Sequence, residues 1–104
     1  MAAPKNEIFL LDGALFEWDR DKALENRRKH GIRFEEAATV FADEDAKVYS
    51  DPDHSEDEGR FLLVGWSSRR RLLIVASMER GQRVRLISAR RVTRSERLDY
   101  EEEA

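Results

Sequence analysis

The chain predicts an α+β domain, on three observations. Two helical stretches come early, at 20–29 and 34–41; three strand-like stretches, 60–66, 71–78 and 83–90, follow late with hairpin-length links; and Thr93-Arg94-Ser95-Glu96 is a capping box announcing a last helix. The expected sheet is small and antiparallel, a three-stranded C-terminal meander plus an N-terminal strand, with two N-terminal helices and a short C-terminal one. With 104 residues the chain fits one domain with one core. Cys 0 leaves no disulfide framework, no thiolate nucleophile and no cysteine-ligated zinc. The longest apolar runs are far too short to span a bilayer, and no basic stretch precedes a signal-type segment, so the expectation is a cytoplasmic protein with no membrane partner.

Each element has a local cause. Residues 1–6 read as disordered, and 7–11 and 14–18 as two short strands across Asp12-Gly13, residues that tolerate positive φ. Asp19 is a good N-cap, Asp21 faces the positive end of the helix dipole, and Trp18 can staple onto Ala23. The helix should stop at His30-Gly31, where glycine takes the left-handed conformation and His30 can bond the last free carbonyls. Asn26 has no helical reason to be there and should hydrogen-bond to a neighbouring element. Phe34, Ala37, Ala38 and Phe41 lie at i, i+3, i+4 and i+7, one apolar stripe, although Arg33 stands where a capping serine or aspartate belongs. Residues 46–49 suit a short strand and 50–59 a polar loop. In 71–78, Leu72 to Ala76 are apolar at consecutive positions, marking a strand covered on both faces.

The strand 83–91 holds the most chemistry. Alternation sets Val84, Leu86, Ser88 and Arg90 on one face and Arg83, Arg85, Ile87 and Ala89 on the other, so both faces carry cations. It reads as a floor of a phosphate-binding surface. The formal charge of -3 conceals segregation. Residues 35–59 hold ten carboxylates against Lys47 alone, net -9, whereas 60–97 hold eleven arginines against Glu79 and Glu96, net +9. A half so rich in arginine favours bidentate recognition of phosphate or carboxylate. The other reading is that the acidic segment neutralises it internally.

The motifs Phe16-Glu17-Trp18-Asp19, Lys22-Ala23, Asn26, Lys29-His30-Gly31, Phe34-Glu35-Glu36-Ala37 and Phe41, then His54, Glu58, Arg60 and Gly65, then Arg85-Leu86-Ile87-Ser88-Ala89-Arg90, Glu96-Arg97 and Tyr100 resemble the BrnT-type toxin family. The likeness spans 16–100, and its Lys-His-Gly and Ile-Ser-Ala-Arg blocks, in that order, are specific. It implies a RelE-like ribonuclease-toxin fold in a type II toxin-antitoxin pair of a bacterial cytoplasm. The implied activity is cleavage of mRNA, free or on the ribosome, with inhibition of translation. The implied partner is a BrnA-type ribbon-helix-helix antitoxin, through which alone the toxin meets operator DNA, with a dimer in the complex. Residues 1–13 form an N-terminal extension to the domain at 14–100, an added strand or an overextended start, and 101–104 an acidic tail. Arg33 replaces the family's usual serine.

Without clustered His or Cys ligands, metal-assisted hydrolysis lacks support, and no cofactor is expected. Metal-free cleavage needs the strand held in line, charge stabilised on phosphoryl oxygens and protons moved. The catalytic candidates are Arg60, Arg80 and Arg90, at strand ends where side chains can converge on a phosphate, with His54 and Glu58 for proton transfer. Arg83, Arg85, Arg91 and Lys29 are candidates for RNA and phosphate binding, Arg85 being as well suited to an internal ion pair. Trp66 or Tyr49 would either stack a base or serve the core. The competing class is a non-catalytic module, or a degenerate toxin, acting as corepressor with the DNA-binding antitoxin.

Overall fold

In a computed structural model of the chain, residues 5–51 and 59–103 are described. Strands β1 (Asn6–Leu11) and β2 (Ala14–Asp19) form a hairpin, followed by helices α1 (Arg20–His30) and α2 (Phe34–Thr39) and a 3₁₀ turn Val40–Ala42. Then come β3 (Lys47–Ser50), β4 (Arg60–Trp66), β5 (Leu72–Arg80), β6 (Arg83–Arg91) and α3 (Arg94–Glu102). All six strands join one sheet in the order β1-β2-β6-β5-β4-β3. No helix among the described residues is long and apolar enough to cross a membrane.

Local signals produced these boundaries. Asp12 and Gly13 have φ 49 and 83, a hairpin turn with both central residues left-handed. The Asp19 carboxylate accepts from the amides of Asp21 and Lys22, at 2.9 and 3.1 Å, and its pKa lies below the ordinary value because of those bonds, Lys22 first. Gly31 closes α1 at φ 71, its amide donating to the Arg27 carbonyl. Arg33 gives α2 no side-chain cap. Thr93 and Glu96 complete both bonds of the capping box on α3.

Two expectations about the sheet need correction. The sheet is mixed, not antiparallel: β2 lies parallel to β6, Leu15 beside Arg83 and Glu17 beside Arg85, because α1 and α2 carry the chain back before the meander closes. Nor is β6 a plain alternating strand. Ala76 pairs with Ser88 but Ser77 with Leu86, so Ile87 is an extra, bulged residue. The alternation shifts there, and Leu86 and Ala89 both enter the main core, while Arg83, Arg85, Ser88 and Arg90 share the opposite face. At the N-terminus, Asn6 opens β1 instead of belonging to a disordered tail, and Lys5 pairs with Asp21 at 3.1 Å. Residues 1–4 lie outside the described residues.

The main core lies between α1, α2 and one face of the sheet, with Phe16, Trp18, Ile32, Phe34, Leu73, Val75 and Leu86 within it. Edge-on rings, Trp18 on Phe34 and Phe16 on Phe41, pack its centre. A second cluster, Val64, Leu72 and Tyr100 with Tyr49, Trp66 and Ile74, lies between α3 and the other face. Gly65 lets the 3₁₀ turn approach β4: a Cβ there would sit 2.8 Å from Ala46 Cβ and from an Asp43 carboxylate oxygen. That same Asp43 oxygen accepts the Trp66 amide at 2.7 Å.

Parallel pairing of β2 covers β6 only as far as Arg85, after which β2 turns into α1 and leaves the β6 edge without a strand. Asn26 takes that place. Its amide donates to the Ala89 carbonyl at 2.9 Å and its oxygen accepts the Ala89 N–H at 3.0 Å, reproducing both bonds of a strand pair; it also donates to the Ile32 carbonyl at 3.0 Å. The Asn26→Leu variant should therefore lose about 2–4 kcal/mol, the cost of leaving a buried amide and carbonyls unmatched, read as a lower urea midpoint at unchanged m-value.

Candidate nucleic-acid interface

The bulge gathers the cations of β6 onto the face that α3 covers only in part. The covered half contains Tyr49, Val64, Trp66, Ile74 and Arg90; the other half presents Arg60, Met78 and Arg80 from β4 and β5, Arg83 and Arg85 from β6, Leu15 and Glu17 from β2, and Ile8 and Leu10 from β1. Ile8 and Leu10 are 53% and 64% exposed, so this half is apolar as well as basic. Leu15, Glu17, Arg80, Gly81, Gln82 and Arg83 line an open cleft of about 540 Å³.

Carboxylates have already engaged much of the arginine. Arg85 donates to Glu17 at 2.6 Å and to the Asn6 side-chain oxygen at 2.7 Å, and Arg83 lies 3.6 Å from the other Glu17 oxygen. Glu17 itself is buried. Arg60 Nε donates to buried Asp51 at 3.1 Å. Arg71 pairs with buried Glu36, which also accepts from Ser67 Oγ at 2.7 Å. Burial alone would push the Glu36 carboxyl up, but the Arg71 and Ser67 bonds outweigh it and hold it below its ordinary value. These buried carboxylates come from other elements, and the fold brings them to the arginines of the sheet.

Arg90 is the sharpest departure from the expected site. It grips Glu96 with both guanidinium nitrogens, at 2.8 and 2.9 Å, while the same carboxylate accepts the Thr93 amide. The Arg90 bonds hold the Glu96 pKa down to about 2, and Glu96 raises that of Arg90. Arg90 stands opposite Ile74 and Arg83 opposite Arg80, six residues further along β5, a separation of about 20 Å at the usual strand rise. Arg60, opposite Met78, is at the Arg80 end. Hence Arg60 and Arg80 come together with Arg83 and Arg85, and Arg90 does not join them. Arg91 and Lys29 are exposed elsewhere, and Lys29 lines a groove beside α1.

His54 and Glu58 lie outside the described residues. Of the described residues on either side, Asp51 is bonded to Arg60, and the Gly59 carbonyl accepts the Glu79 amide at 3.0 Å, both at the Arg80 end of the sheet. Trp66 lies under the Arg97 guanidinium, 5.2 Å from its ring centre, and Tyr49 donates to Glu103, both half-buried beside α3. That bond lifts the Tyr49 hydroxyl to about 12 and keeps it protonated. Sequence reasoning missed Glu17, whose role depends on β2 lying parallel to β6, a pairing with no local signal.

Residues 18–96 match the family model described as "Ribonuclease toxin, BrnT, of type II toxin-antitoxin system". The chain belongs to the BrnT toxin family. Its fold is similar to that in a 1.1 Å crystal structure of the Brucella abortus ribonuclease toxin BrnT, with a TM-score of 0.58 and 22% identity, covering 74% of this chain and 94% of that one. No curated protein matches the chain. Membership of a type II system implies an antitoxin partner. Strand β1 and the first four residues of β2 lie before the matched residues.

The Arg90 pair predicts an acid sensitivity. Because the folded carboxyl of Glu96 titrates below its unfolded value, its stabilisation is present above about pH 5 and lost as the pH falls towards about 2. Thermal melts across that range should show the wild type losing more stability than Glu96→Gln, with a constant difference between them above about pH 6.

Proposed function

We propose that the chain is a metal-independent endoribonuclease of RelE-like fold that cleaves mRNA and so arrests translation in the bacterial cytoplasm. A BrnA-type ribbon-helix-helix antitoxin would neutralise it, and a dimeric complex of the two would reach operator DNA through the antitoxin alone. The observation that carries this reading is the family match, whose description is that of a ribonuclease toxin. The open basic half-face supports it, since it offers cations beside apolar surface and a cleft on a sheet otherwise roofed by helices.

The chemistry is attack of a ribose 2′-oxygen on the adjacent phosphorus, with departure of the 5′-oxygen to leave a 2′,3′-cyclic phosphate and a 5′-hydroxyl. In our reading Arg80 and Arg83 bind the phosphate and stabilise its growing charge, Arg85 orients Arg83 through their shared Glu17, Arg60 adds positive charge at the same end, and His54 and Glu58 move the protons. Arg90 is reassigned from transition-state contact to holding α3 on the sheet.

A second reading, a corepressor without turnover, draws support from one observation: Glu17 and Asp51 already occupy arginines at this end. The two separate in one assay. Incubated with RNA in EDTA, wild type should yield 2′,3′-cyclic ends and Arg80→Ala should lower the rate by about 10²–10³ while unfolding at the wild-type urea midpoint. RNA left intact both free and on ribosomes would sink the nuclease and leave the corepressor.

A further inference from the structure

Helix α1 turns Ala23 and Asn26 towards the sheet and carries no continuous apolar stripe. A helix docked on a sheet normally turns an apolar stripe inwards. Here Lys22, Glu25, Asn26 and Lys29, at i, i+3, i+4 and i+7, line a groove against Ile87 and Ser88 of β6, with His30 at its end, while Leu24 is 61% exposed to solvent. The groove measures about 280 Å³. It exists because β2 leaves β6 after Arg85: the vacated strand position is filled by the Asn26 amide at Ala89 and is otherwise open beside the bulge.

The lining specifies the ligand. Two lysines about two turns apart on one face of α1 and an imidazole border an open concave strip whose only apolar residue is Ile87. Neither Lys22 nor Lys29 has an ion pair among the described residues. A protein partner would want apolar anchors at the centre of its footprint, whereas a polyanion wants separated cations and hydrogen-bond donors. Glu25 is the one opposing charge, and the groove remains cationic with it in place. We propose that the α1–β6 groove binds the phosphodiester backbone of RNA, with Lys22 and Lys29 contacting phosphates and the His30 ring bordering the same strand. The proposal rests on the ribonuclease reading and adds to the Arg80 end of the sheet a second contact zone, which holds a flanking part of the substrate instead of the scissile bond.

The chain has two histidines, so His54→Gln leaves His30 as the single imidazole reporter. Titrating this variant with an uncleavable 2′-O-methyl RNA oligonucleotide should shift the His30 ring resonances saturably. Lys22→Ala/Lys29→Ala should weaken binding about tenfold and flatten its salt dependence by about 1.4 units of slope, as the loss of two single-strand phosphate contacts requires. Glu25→Gln should tighten binding about two- to fivefold, a gain that damage to the fold cannot imitate. Binding without any His30 shift, a Glu25→Gln variant no tighter than its parent, or a His30 shift produced only by the antitoxin overturns the proposal. Cleavage of ordinary RNA in EDTA is scored separately on the unsubstituted chain. Cleavage without the His30 shift removes the groove and leaves the nuclease; the shift without cleavage keeps an RNA groove and removes the enzyme.

Discussion

One side-chain amide closes the open edge of the strand at the centre of the sheet. Strand β6 is central in the sheet, yet β2 pairs with it only over Arg83 to Arg85, and a bare edge of backbone in the core would be costly. Asn26 supplies a donor and an acceptor to Ala89 in the geometry of a neighbouring strand and ties the α1–α2 link down through Ile32. A longer β2 would satisfy the same edge, but it would displace α1 and close the groove beside it. The choice of an asparagine over a strand therefore sets where α1 lies and which of its residues face the sheet.

The bulge at Ile87 makes a second such choice. Without it, Arg90 would point into the core with Leu86; with it, Arg83, Arg85 and Arg90 share the face opposite the main core. Carboxylates then sort these cations by task. Glu96 clamps Arg90 and with it the start of α3, while Glu17, buried between two arginines, fixes Arg85 and steadies Arg83 at the open end. Buried pairs of this kind cost desolvation and are weak evidence for stability, but they hold guanidinium groups in place. Orientation is what a phosphate site needs from them.

Much of this was legible in the residues because its causes are local. Caps at Asp19 and Thr93, the Asp12-Gly13 turn, the Gly31 stop and the hairpin spacing of the meander each act within a few residues and appear as expected, whereas the α2 stripe ends at Thr39 and its last member, Phe41, falls in the 3₁₀ turn. Even the outward bond of Asn26 was signalled by its poor helical fit. What could not be read off was non-local. Parallel pairing of β2 with β6 depends on the path through two helices; the bulge has no sequence signature of its own at Ile87; and the carboxylate partners of Arg60, Arg71 and Arg85 lie between 9 and 68 residues away. Strand-end arginines were consequently grouped by type, although Arg90 and Arg80 stand at opposite ends of the sheet.

Amide hydrogen exchange at Ala89 tests the role of Asn26 most directly. In the wild type the Ala89 N–H should be as protected as its paired neighbours in β5 and β6, although no strand covers that edge. In Asn26→Ala, still folded, its protection should drop selectively, by at least about tenfold more than theirs, because local opening then requires no strand separation. A loss at Ala89 no larger than at those neighbours would show that something other than the asparagine amide closes the β6 edge.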